Sequence, residues 1–232
     1  KQESVVEKFS FSQTPRSERY EAGKQLRKSC PRSSHAKWEP AASRPDPVDL
    51  IIESNNGRLP NLVPLRHGRM GRSPFTFYRG AALTMASDLS YTPVTGIKVQ
   101  ACGDAHLCNF GAFATPERNV IFSINDLDET LPAPWEWDVK RLGASFVVAC
   151  RNNNLSDDVA RDTVLELVRS YRENMNAFSE MRTMDLWHYS LGADQLVSKV
   201  KDPELKRRGM KRLEKERARS VAEEMFPQIV KG

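Results

Sequence analysis

Twelve of the fourteen prolines fall at or before Pro134, so the two halves of this 232-residue chain obey different rules. Proline lacks an amide donor and fixes φ, which keeps it out of helix interiors and central strands. The first half must therefore be short elements joined by ordered loops, while the second is free to form long helices. At 26.3 kDa the chain is one large domain or two small ones. Hydrophobic residues at 39% and charged residues at 28% exclude both a membrane protein and a chain too polar to collapse. The opening KQESVVEKFS has no apolar stretch of the signal-peptide kind. Cys30, Cys102, Cys108 and Cys150 sit at no disulfide-framework spacing, so reduced thiols and a cytoplasmic location are expected.

Residues 1–47 are polar, proline-punctuated and without period, which predicts a poorly ordered arm. Val48 to Glu53 reads as a short helix. Arg79 to Leu89 reads as a longer one, with Ala82, Met85, Ala86 and Leu89 on one face. The period then changes. Ile97, Val99 and Ala101 alternate with polar residues, as do Val120, Phe122 and Ile124. Between them FGAFA and the turn-rich TPERN predict a hairpin, which brings the acidic NDLDE close to the loop GDAHLCN. After Asp138 the spacing is helical through Val139, Leu142, Phe146 and Cys150. A second helix follows through Val164, Leu167, Val168, Tyr171, Met175 and Phe178, with Ser156 as its N-cap. Glu204 to Met225 is charged and helical, inside a terminal segment 201–232.

Asp104, His106 and Asn109 follow one predicted strand, and Asp126 and Asp128 follow another about twenty residues later. Phosphoryl transfer uses such a set. One aspartate accepts the proton of an attacking hydroxyl, while an asparagine and a second aspartate hold magnesium against the phosphates. Aspartates at strand ends also cap turns without binding anything, and that plain reading applies to each one singly.

GDAHLCN resembles the GDxHxxN catalytic loop of aminoglycoside phosphotransferase and choline kinase-like enzymes. INDLDE with WEWDVKRLGAS resembles their IDFxD segment and the later Asp-bearing helix start. That resemblance implies Asp104 as catalytic base, with His106 beside it in the catalytic loop as a loop-fixing residue. It implies Asn109 and Asp126 as metal ligands with Asp128 next to them, and Asp138 with Arg141 as structural support. Magnesium and ATP are the cofactors it implies, and a hydroxyl-bearing acceptor the substrate. A longer resemblance, carried by LVPLRHGRMGRSPFTFYRGAALTMASDL, VQACGDAHLCNFGAF and INDLDETLPAPWEWDVKRLGAS, is to the bacterial family called domain of unknown function 2252. It runs from about Pro31 to about Arg182.

Neither GxGxxG nor GxxxxGK[ST] occurs in the sequence, so the glycine loop and strand lysine that a kinase lays over its phosphates are missing. The family is similar to a permuted kinase with that lobe C-terminal, and the expectation is a chain cut before it. RHGRMGRSPFTFYRG places Arg66, Arg69, Arg72 and Arg79 among Phe75, Phe77 and Tyr78. Arg66, Arg69 and Arg79 are candidate phosphate contacts, and the aromatics read as core residues. Cys102, His106 and Cys108 have poor zinc spacing and lack a fourth ligand nearby.

A net charge of +5 is too mild to imply nucleic acid. The basic C-terminal stretch reads as a solvated helix face with Glu204 and Arg208 four apart. The expectation is thus an α+β, protein-kinase-like catalytic half over 48–200, with short strands and a hairpin followed by helices. Its expected activity is ATP- and magnesium-dependent phosphotransfer, with neither nucleic acid nor membrane as partner and oligomeric state left open. The rivals are a catalytically idle kinase-like binding module and a nucleic-acid-associated protein.

Overall fold

In the computed structural model, which describes residues 14–117 and 119–218, the proline-rich half is a succession of short elements. Where an irregular arm is expected, α1 spans Arg16–Ser29 and a 3-10 turn spans Arg32–Ala36. The reason lies in the stretch RSERYEAGKQLRKS, which has no proline and is rich in helix formers. α1 buries none of its own residues. Arg16 holds it to Glu180 at 2.9 Å, and Cys30 just beyond its end is buried. Residues 1–13 of the predicted arm lie outside the described residues.

α2 (Pro47–Glu53) begins on Asp46, whose carboxylate accepts the Val48 amide at 2.7 Å, with Pro47 in the first turn. α3 (Val63–Met70) and α4 (Pro74–Arg79) follow, α4 opened by a reciprocal Ser73–Thr76 capping box. The single helix expected from Arg79 to Leu89 is broken. α4 ends at Arg79, and α5 (Ala82–Leu89) starts after Gly80 and Ala81. A Cβ at Gly80 would come within 2.7 Å of Met70, so the break lets Met70 pack against bare backbone. Of the expected inner face of α5, Leu89 is buried and the rest are half-buried.

β1 (Lys98–Ala101) pairs antiparallel with β4 (Leu131–Pro134), which the sequence reading missed because two of its four residues are proline. A two-stranded sheet has only edges, and edges tolerate proline. The alternation in β1 does not mark a buried face. Ile97 and Val99 stay exposed and only Ala101 is buried. β2 (Phe110–Ala114) and β3 (Val120–Ile124) form the expected hairpin, with Phe110 opposite Ile124.

α6 (Trp135–Asn152) and α7 (Asp157–Phe178) pack antiparallel, with the Trp135 and Tyr171 rings stacked at 5.7 Å. Ser156 caps α7 by accepting the Val159 amide at 3.3 Å. α6 starts before Asp138, and its buried residues are Glu136, Arg141, Gly143, Ser145 and Cys150. Of the expected apolar face only Cys150 is buried; Val139, Leu142 and Phe146 are half-buried. α8 (Thr183–Trp187), α9 (Ala193–Ser198) and α10 (Pro203–Ala218) complete the described chain. Val120, Ala193 and Leu213 form a small apolar cluster with Val197, so α10 closes over the hairpin. The predicted continuation of α10 to Met225 lies outside the described residues. Among the described residues no helix is long and apolar enough to cross a membrane. The mixture of helices with small antiparallel sheets is an α+β fold.

Candidate functional site

The loop between β1 and β2 turns on Gly103, whose φ of +77° lies in the left-handed region. A Cβ there would overlap the Glu129 carbonyl, so only glycine lets the acidic turn 125–129 lie directly on this loop. That close approach is the basis of the site.

One side chain joins the two loops. The buried Asn109 amide nitrogen donates to the backbone oxygens of Asp104 and Asp126, both at 3.0 Å. Its carbonyl oxygen accepts the Asp126 amide at 3.0 Å. Asp126 in turn accepts the Asp128 amide at 3.1 Å, a side-chain turn that leaves both carboxylates exposed.

α6 braces the loop from beneath with Asp138, Arg141 and Ser145, which share a face at i, i+3 and i+7. Asp138 accepts the amides of Cys102 at 2.7 Å and Gly103 at 3.1 Å. Ser145, fully buried, accepts the Leu107 amide at 3.0 Å. Arg141, 2% exposed, grips one oxygen of Asp104 through Nε at 2.8 Å and through Nη2. The Arg141 guanidinium lies 4.7 Å from the centre of the Tyr78 ring, and the Tyr78 hydroxyl donates to the Arg141 carbonyl at 2.7 Å. Burial pushes the Tyr78 phenol up to about 12, with Arg141 opposing.

The other Asp104 oxygen is 3.6 Å from His106 Nε2, outside hydrogen-bond reach. Burial holds the His106 imidazole below its usual range; Asp104 opposes that, and Arg141 and Arg79 add to it. Arg79 stands exposed at the end of α4.

The predicted arginines are dispersed in role. Arg66 donates to Asn55 at 2.8 Å, Ser54 at 3.0 Å and the Gly80 carbonyl at 2.8 Å, which ties the chain after α2 to the α4–α5 break. Arg69 and Arg72 are exposed on and after α3. Cys102 and His106 are buried while Cys108 is exposed, and among the described residues no three His, Cys, Asp or Glu side chains gather as a metal site. A cation here would rest on the exposed carboxylates of Asp126 and Asp128, completed by water or phosphate, because the buried Asn109 carbonyl oxygen already accepts the Asp126 amide. That donor set suits a hard divalent ion. Sequence reasoning missed Ser145 and the Gly103 contact. The signals were a serine seven residues after Asp138 and a glycine between the strand and Asp104.

The fold and loop geometry define an α+β chain whose polar site is assembled from two strand-end loops over one helix. The family model described as "Uncharacterized protein conserved in bacteria (DUF2252)" matches residues 58–231, and the chain belongs to that family. The match begins later and runs further than the expected Pro31 to Arg182. No curated protein and no solved structure matches the chain.

Proposed function

We propose that this chain supplies the catalytic part of a protein-kinase-like phosphotransferase that uses magnesium and ATP and acts on a hydroxyl acceptor. The observation that carries the reading is the Asn109 amide, which holds the backbones of Asp104 and Asp126 in one frame. Asp104 is the base: Arg141 fixes one oxygen and leaves the other to receive the acceptor proton. Asp126 and Asp128 would hold the metal, and Asn109 would join them as a ligand only by turning its oxygen from the Asp126 amide. Bound magnesium neutralises charge on the phosphates. Arg79, exposed at the end of α4, is the arginine this reading assigns to a phosphate. Arg66 is a brace in this reading, since its donors are turned to Ser54, Asn55 and Gly80.

The Asp104–Arg141 pair favours a second reading, in which the carboxylate's charge is permanently answered and the module binds a ligand without turning it over. Calorimetry with magnesium and ATP, followed by a turnover assay, separates the two. The expected result is weak magnesium-dependent binding by this chain, lost in Asp126→Ala and kept in Asp104→Asn. Equal loss in both variants would remove Asp104 from the role of base. Absence of any metal-dependent binding by the folded wild-type chain would sink the phosphotransfer reading.

A further inference from the structure

We propose that the groove between α1 and α7 is a second binding site, for a compact polyanion of the oligophosphate class. The groove is open to solvent, measures about 510 Å³ and is lined by the exposed residues Tyr20, Arg27, Arg32, Arg172, Glu173 and Asn176. The three guanidiniums come from three segments: the last turn of α1, the 3-10 turn after it, and the middle of α7. Among the described residues none of them has a hydrogen-bond or ion-pair partner. Some other charges on the same helices are answered, as in Lys24–Glu21 and Arg169–Glu166 at 2.7 Å each and Arg16–Glu180 at 2.9 Å. Among the described residues Glu173 is the one carboxylate in the lining, against three arginines. Like charges gathered without partners repel, and a bound anion reverses the sign of that interaction.

A second, independent observation concerns α1 itself. It buries none of its residues, although a helix of 14 residues has marginal stability alone in water. An anion held by Arg27 and Arg32 on one side and Arg172 on the other would join α1 to α7 where apolar packing does not. Guanidinium forks match phosphate oxygens in pairs, and three forks from separate segments suit several linked phosphates better than a single carboxylate. The aromatic in the lining is not a free platform for a nucleobase, because Lys24 Nζ lies over the Tyr20 ring at 4.8 Å. That argues for a small anion over single-stranded nucleic acid.

Inorganic tripolyphosphate is the probe, titrated calorimetrically into the 232-residue chain with EDTA present, so that the metal-dependent chemistry proposed at Asp126 is silent. One-to-one saturable binding and a rise in melting temperature are expected. Arg27→Ala with Arg172→Ala should weaken binding about tenfold for each guanidinium removed. Both arginines are exposed, and circular dichroism checks that the variant stays folded. No saturable binding, or binding unchanged in the double variant, overturns the proposal. Loss of binding in Asp126→Ala would also overturn it, by moving the anion to the other site. Stronger binding of an RNA homopolymer with a steeper salt dependence would overturn it in favour of nucleic acid. Because metal is excluded throughout, failure here leaves the phosphotransfer reading standing.

Discussion

Asp138→Asn is the substitution that most directly tests how the loop is held. The carboxylate accepts two backbone amides, Cys102 at 2.7 Å and Gly103 at 3.1 Å, one on each oxygen. Hydrogen bonds to a charged acceptor contribute about 1.5–3 kcal/mol each, and a buried amide left without a partner costs a similar amount. Alanine removes both acceptors, so Asp138→Ala should lose about 3–5 kcal/mol, a large fraction of a typical domain's 5–15 kcal/mol. Asparagine keeps one acceptor and turns a donor toward the other amide, so Asp138→Asn should lose about 2–3 kcal/mol despite its equal size. Urea unfolding measures both losses, and amide hydrogen exchange reads Cys102 and Gly103 directly. If Asp138→Asn unfolded at the wild-type midpoint with both amides still protected, the brace would be decorative and the account of α6 wrong.

Gly103→Ala should cost about 3 kcal/mol or more, because positive φ and overlap with the Glu129 carbonyl coincide there. Gly57→Ala, with similar φ but open space around it, should cost only about 1 kcal/mol in the same denaturation assay. Arg141→Met should lose about 3–5 kcal/mol by stranding the Asp104 carboxylate, and adding Asp104→Asn should restore part of it in a double-mutant cycle. Strict additivity of the two changes would mean that the pair does not couple. The Tyr78 phenol, raised from 10.0 to about 12, binds its proton more tightly folded than unfolded. Its contribution is therefore complete below pH 10 and disappears as pH rises through about 12. Tyrosinate absorbance should show a phenol titrating near pH 12, and Tyr78→Phe should remove that step; a step unchanged in the variant would assign it elsewhere.

The features legible in the sequence were those with a strong local cause. The β2–β3 hairpin announced itself through alternation around TPERN, α2 and α7 through period, and the Ser156 cap through its place before an apolar repeat. The nearness of the acidic turn to GDAHLCN followed from the hairpin alone, since Phe110 and Ile124 are directly paired. What was illegible depended on partners distant in sequence. β4 contains Pro132 and Pro134 and exists because β1 lies beside it. The break at Gly80 answers Met70, and α1 meets Glu180, distant in sequence, through Arg16. α6 misled for a different reason. Hydrophobic period finds the side of a helix that meets oil, whereas this helix turns its least exposed side to a loop whose amides need acceptors.

Among the described residues, the largest side chains fully withdrawn from solvent are an arginine and a serine, while Leu165, Val168 and Trp187 stand in water. Tolerance to substitution should therefore run against the usual gradient. In a saturation mutagenesis scan, leucine or isoleucine at 138, 141 or 145 should be among the most damaging replacements, although they raise hydropathy at interior positions. Polar replacements at Leu165 or Val168 should pass nearly unnoticed. A redesign that fills interiors with aliphatic side chains would erase the very contacts that shape this loop. The same inversion warns against ranking variants of this chain by hydrophobicity: what this interior holds is an arrangement of donors and acceptors.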